Sequence, residues 1–307
     1  MHRRALAPWA LIAVADVTKD RQRWYADERV TVMTPAGDRR HHTTAKTGVL
    51  AGAWRDLSAA VAMRHLWVAL ANEDIGDQHR NTLLGPLWML INYLAFAATF
   101  IFVFHVGAGD SSYAAYVATG LLVWFYVMEA ISQGVSLFRR EESFIKGTNL
   151  PLFVYAMRLT VQSVIRGGYA LLGCIIILLA SGAALNAGLL WAMLGIAVII
   201  VMTPPLIMIL AFVGAYVPDS QFIIANAMRL GMFLTPVFWV YEGAGGVRHA
   251  LYHWNPFTYL IEVVRTPILT GSPPVQAFAV CLAIALGLWG AALLLTGKLR
   301  KQLVFVL

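Results

Sequence analysis

GGYALLGCIIILLASGAALNAGLLWAMLGIAVIIVMTPPLIMILAFVGAYVP, residues 167–218, contains no Asp, Glu, Lys or Arg. A membrane crossing needs roughly 20 apolar residues for about 30 Å of hydrocarbon. This stretch holds two crossings, with a turn around Ser181-Gly182 and Asn186-Ala187-Gly188. Two more uncharged runs, Asn81 to Gly109 and Thr266 to Gly297, each hold one. The chain as a whole is 59% hydrophobic and 13% charged, against about 25% charged in an ordinary soluble domain. The fold class is therefore an all-α membrane protein.

Working outward from 167–218, the pattern gives six transmembrane helices. They are placed at about 84–105, 113–135, 153–180, 189–215, 222–240 and 275–296. The region from Glu242 to Pro274 is rich in Gly and Pro, and its apolar stretch Phe257 to Val264 is too short to cross. Non-helical backbone at membrane depth is tolerated only against protein or water, so two short re-entrant helices are expected between spans five and six. Before the first span, Trp54 to Ala71 puts Ala59, Met63, Leu66, Trp67 and Leu70 on one helical face, with Ser58, Arg64 and His65 opposite. That is an amphipathic helix lying in the interface, with Trp67 at headgroup level. The expected organisation is a cytoplasmic N-terminal arm (1–53), an interface helix (54–72) and a transmembrane domain (73–307). The arm opens on Arg3-Arg4 and a short apolar run broken by Pro8. It is read as a cytoplasmic extension rather than a cleaved signal.

Basic residues gather before Asn81, in the link Arg139–Lys146 and at Lys298, Arg300 and Lys301. Basic flanks favour the cytoplasmic side. Six spans with these flanks put both termini in the cytoplasm, with a turn at Gly107–Asp110 and Glu242 on the far face. The net charge of +7 reads as membrane topology. It does not read as nucleic-acid binding, since no aromatic-basic interleaving accompanies it. Cys174 and Cys281 both lie inside apolar runs and read as packed small hydrophobes, with no metal site.

Charges inside the spans are functional candidates by default. Glu129, Arg158, Arg166 and Arg229 qualify. Glu129 is the one mid-span carboxylate, and it is placed to pair with a span arginine, which speaks against ion coupling. Arg158 reads either as snorkelling to the boundary or as lining a polar path with Arg166. A phosphate-cradling Gly-x-x-x-x-Gly-Lys-Ser/Thr string does not occur in the sequence. If ATP powers the protein, another polypeptide supplies the ATPase.

Four strings now carry a family resemblance. They are Leu83-Leu84-Gly85-Pro86-Leu87-Trp88, Phe144-Ile145-Lys146-Gly147-Thr148-Asn149-Leu150-Pro151, Thr235-Pro236-Val237-Phe238-Trp239, and Asn255-Pro256-Phe257 continuing through Glu262 and Arg265 to Leu269. In this order and topology they resemble the membrane subunit of bacterial ABC exporters for lipid-linked polysaccharide, the O-antigen, capsule and teichoic-acid type. The resemblance runs from about residue 54 to the C-terminus. It implies a non-enzymatic permease in the bacterial inner membrane that works as a homodimer with a cytoplasmic ABC ATPase dimer. ATP and Mg would be bound by that partner, and this chain would hold no cofactor.

The resemblance also implies roles. Arg139, Arg140, Glu141, Glu142 and Lys146 would touch the ATPase. Gly85, Pro86 and Trp67 would form the cytoplasmic entrance, although Gly85-Pro86 reads equally as an ordinary helix start. Trp88, Tyr93, Phe96, Phe100, Phe233, Arg166, Phe238 and Trp239 would line the sugar path, although aromatics also pack helices and form interfacial belts. Asn255, Pro256, Glu262 and Arg265 would form the external gate, with Glu262 and Arg265 able to pair on one helix face. The stretch Glu73–Arg80 departs from the family, being more acidic than the basic run usual before Gly-Pro. Other readings are a permease for drugs or small lipids, a membrane glycosyl or acyl transferase, and an ion-coupled carrier.

Overall fold

The computed structural model describes residues 48–307 except 79, 81, 105–111, 183–186, 242 and 244–245. Most of the N-terminal arm, His105, the turn at 107–110, Asn186 and Glu242 lie outside the described residues. Among the described residues all regular structure is helical. In chain order the helices are α1 (Val49–Ala62), α2 (Arg64–Gln78), α3 (Leu87–Phe104), α4 (Ser112–Arg140), α5 (Glu142–Gly147), α6 (Leu152–Ala180), α7 (Gly188–Tyr216), α8 (Ser220–Leu234), α9 (Val247–Trp254), α10 (Pro256–Thr270) and α11 (Val275–Val306).

Four of them, α4, α6, α7 and α11, are long and apolar enough to cross a membrane. α3 is apolar but shorter. The expected fifth span, 222–240, is corrected: α8 has 15 residues and stops at Leu234. Thr235 precedes Pro236, and a proline pushes the residue before it out of the helical region. Thr235 accordingly sits at φ −93° and ψ 144°. The last helix covers the expected span and runs on past Thr296 through Lys298, Arg300 and Lys301 to Val306, its final turns packing against α1.

The interface helix, expected as one element over 54–72, is two. Met63, at φ −85° and ψ 28°, ends α1 with its amide shared between the Ala59 and Ala60 carbonyls. The Trp67 indole N–H, beyond the break, donates to the Ala60 carbonyl at 2.9 Å. Ser58, Arg64 and His65 are exposed, while Met63, Leu66, Trp67 and Leu70 are half-buried, so the amphipathic face reads as expected.

α4 and α7 form the centre. Small residues let membrane helices approach backbone to backbone. At Gly214 on α7, a Cβ would overlap the Val135 carbonyl of α4. α7 also carries Pro204 and Pro205 inside a continuous helix. Pro205 has no N–H for the Val201 carbonyl four residues back, and the Trp289 indole of α11 donates to that carbonyl at 3.2 Å. Two apolar cores result. One surrounds Trp124, Leu121 and Ile261. The other surrounds Phe138, Phe153, Phe212 and Leu303.

Candidate functional site

α4 connects two charged structures. At its N-terminal end stands Arg265 of α10, only 1% exposed. Its guanidinium donates to the Pro236 carbonyl at 2.7 Å and the Val237 carbonyl at 2.8 Å. It lies 3.6 Å from the centre of the Tyr116 ring and 3.5 Å from Glu262. A Cβ on Gly120 would overlap the guanidinium, so the glycine in α4 creates the slot. The pairing of Glu262 with Arg265 is present, and Thr266 donates to Glu262 in turn. Asn255 caps α10. Its side-chain oxygen accepts from the Phe257 amide at 3.0 Å, and its amide donates to Thr235 at 2.8 Å. Pro256 follows as the first helical residue, where a missing N–H costs nothing. Asn255-Pro256 is thus a helix start tied to the break after α8.

At the other end of α4, a ladder of ion pairs joins α2, α4 and α6. Arg158 grips Asp74 with a two-pronged contact, 2.6 Å on each prong, and reaches Glu141 at 3.1 Å. Gln162 donates to the same Asp74. Arg166 pairs with Glu129 at 2.6 Å and donates to Gln78 at 2.9 Å. Arg158, Gln162 and Arg166 recur every four residues on α6, and Asp74 and Gln78 do so on α2, so the two helices meet along matching faces. Both guanidinium groups are paired with carboxylates within the chain. Within the acidic stretch Glu73–Arg80, Asp74 is the internal partner of Arg158, and Gln78 that of Arg166.

The expected coupling residues divide. Glu142 and Lys146 bracket α5 and pair at 2.7 Å. Arg139 is exposed. Arg140 donates to Gln133 at 2.7 Å, and Glu141 turns inward to Arg158. Of the expected entrance residues, Gly85 has φ +53°, a conformation glycine adopts freely. Pro86 directly precedes α3. Of the aromatics, Tyr93 is 2% exposed, and its hydroxyl donates to the Ala118 carbonyl at 2.7 Å. Phe100 and Phe238 stack at 5.1 Å within the chain. The Trp239 indole donates to the Phe233 carbonyl at 3.1 Å. Trp88, Phe96 and Phe233 are 42%, 51% and 57% exposed. Arg229 is exposed on α8, 3.4 Å from Asn226.

The sequence reading missed Asp56. It accepts from the Leu152 and Phe153 amides at 3.2 and 3.0 Å and meets Arg300 at 3.2 Å. α6 has no side-chain cap of its own, so α1 supplies a carboxylate to its open amides. The legible signal was spacing. Asp56 falls between Ala53 and Ala60 on one helical face, and all three are buried. Burial pushes its carboxyl above the usual carboxylate range, against the pull of the Phe153 amide, Arg300 and the Leu152 amide.

Long apolar helices with their internal charges paired describe a helical membrane protein. The ABC-2 type transporter family matches residues 65–269, about two thirds of the chain, and the protein belongs to that family. It is the permease of an ABC transporter, and such permeases work with an ATPase partner. No curated protein matches it.

Proposed function

We propose that this permease exports a polyprenyl-pyrophosphate-linked polysaccharide of the O-antigen kind across the bacterial inner membrane. In this reading two copies enclose the path and an ATPase dimer binds ATP and Mg on the cytoplasmic side. α3, and α8 together with the non-helical stretch from Thr235 to Val240 that follows it, are the remaining two of six crossings, and α9 and α10 re-enter from the outer face. Both termini are cytoplasmic.

The observation that carries the reading is the exposed aromatic face of α3 and α8. Trp88, Phe96 and Phe233 lie on the two crossings least enclosed by the rest of the chain. Two such faces brought together make an aromatic-walled path, and sugar CH faces stack on rings. Tyr93, Phe100 and Phe238 stand behind them and set the wall. Arg229, exposed on α8, offers a charge to a pyrophosphate passing that wall.

Deletion of the gene, complemented by variants, tests this. Loss of surface polysaccharide with accumulation of the lipid-linked glycan inside is expected. Trp88→Ala combined with Phe96→Ala should lower export several-fold with the protein still present in the membrane. Intact surface polysaccharide in the deletion strain, with raised sensitivity to drugs, would move the protein to the permeases for drugs or small lipids.

A further inference from the structure

We infer that Arg158 is the positioning residue through which movement of α5 reaches α2 and the turn that opens α3. This rests on the reading that an ATPase grips α5.

Glu141 is the residue immediately before α5, and it faces inward, with its side chain 13% exposed. Asp74 lies on α2. One guanidinium joins them, with the two-pronged contact on Asp74 and the remaining nitrogen on Glu141. An arginine fork can hold two carboxylates in fixed directions, which the point charge of a lysine cannot do. Glu141 leads directly into α5, and its carbonyl accepts from the Ile145 amide of that helix at 2.9 Å, so a push on α5 is delivered to Glu141. The second rung extends the connection. Gln78, the last residue of α2, meets Arg166, and Arg166 holds Glu129 in the middle of α4. α2 is therefore held at Asp74 and Gln78, and the chain then continues to Gly85, whose positive φ marks the turn before α3. Without Arg158, Asp74 keeps only the neutral Gln162 of the partners named here, and Glu141 keeps Arg140 at 3.6 Å, so nothing charged joins α2 to the base of α5.

The reconstituted permease–ATPase complex tests the inference. An environment-sensitive fluorophore is placed at Ser143→Cys on α5 or at Glu73→Cys on α2, both exposed positions, with the buried Cys174 and Cys281 replaced by Ala. ATP, Mg and vanadate trap the ATPase. In the otherwise unchanged protein, trapping should shift both probes. In Arg158→Gln the shift at 143 should persist and the shift at 73 should fall at least fivefold, with Arg158→Lys between. The triple variant Asp74→Asn, Glu141→Gln, Arg158→Gln removes the leftover charges as well as the tie. It should give the same loss at 73 and serves if the single variant does not assemble. A shift at 73 that survives both variants overturns the inference. So does a probe at 73 that stays still in the unchanged protein while the probe at 143 moves. If trapping moves neither probe, the ATPase does not act through α5; the reading beneath the inference then fails, and the inference with it.

Discussion

The two ends of α4 hold arginines in opposite ways. Arg265 is held mainly by two backbone carbonyls and the face of Tyr116, with Glu262 at 3.5 Å, almost wholly out of water and with its Nε left without a hydrogen-bond partner. Arg158 and Arg166 are satisfied by side-chain carboxylates and are half-buried, at 17% and 15% exposed. Backbone carbonyls cannot leave without the chain moving, so Arg265 fixes a shape. Side-chain partners can rotate, part and re-form, so the ladder on α6 can carry a displacement. A charge inside a membrane protein is expensive in either case; the kind of partner decides whether it serves as a fastening or as a linkage.

The comparison breaks first at Arg265. Arg265→Ala strands the Pro236 and Val237 carbonyls and Glu262 in a dry slot, and breaking a buried pair in this way costs about 3–5 kcal/mol. The expected outcome is loss of folded protein, read as a collapsed yield and a lowered unfolding temperature in detergent. Gly120→Val, which fills the same slot from α4, should do the same.

Arg158→Gln removes charge-assisted bonds from a wetter site, where such bonds are each worth about 1.5–3 kcal/mol. The protein should fold with reduced thermal stability, while ATP hydrolysis by the complex continues within twofold and transport drops at least tenfold. Equal losses in hydrolysis and transport would make Arg158 a fastening like Arg265.

Asp56 sharpens the contrast through pH. Its folded carboxyl binds a proton more tightly than the unfolded one, whose ordinary value is 3.8. Between that value and the raised folded value the native state holds more protons than the unfolded state. Stability therefore falls as pH rises through that window and levels off above it. Unfolding temperature measured from pH 4 to 7 should show this fall. Asp56→Asn should flatten it, at a cost of about 1 kcal/mol in the capping of α6. The smallest effect belongs to Tyr93→Phe, which loses one hydrogen bond to Ala118, about 1 kcal/mol, with export unchanged if Tyr93 only sets the wall.

The long helices, the amphipathic face before them and the i,i+3 pair of Glu262 with Arg265 were legible because each is a local pattern. The pairing of Glu129 with a span arginine was legible because a mid-span carboxylate needs a cation. What the sequence hid was non-local. No Gly or Pro marks the break at Met63. Nothing near Pro151 announces that Asp56, far back in the chain, caps α6. Arg158 looked like a snorkelling residue because its partners lie on two other helices. The end of α8 is marked by Thr235-Pro236, but the apolar residues Val237 to Val240 beyond it made the expected span too long.

Export of a lipid-linked glycan by this permease is our proposal, and proteoliposomes test it. The chain and its ATPase are reconstituted with a polyprenyl-pyrophosphate glycan, and the glycan facing away from the nucleotide side is counted with a lectin. Glycan should appear on that side only with ATP and Mg, and its appearance should stop with vanadate. Glycan appearing at the same rate without ATP, or none appearing while the ATPase turns over, would contradict it.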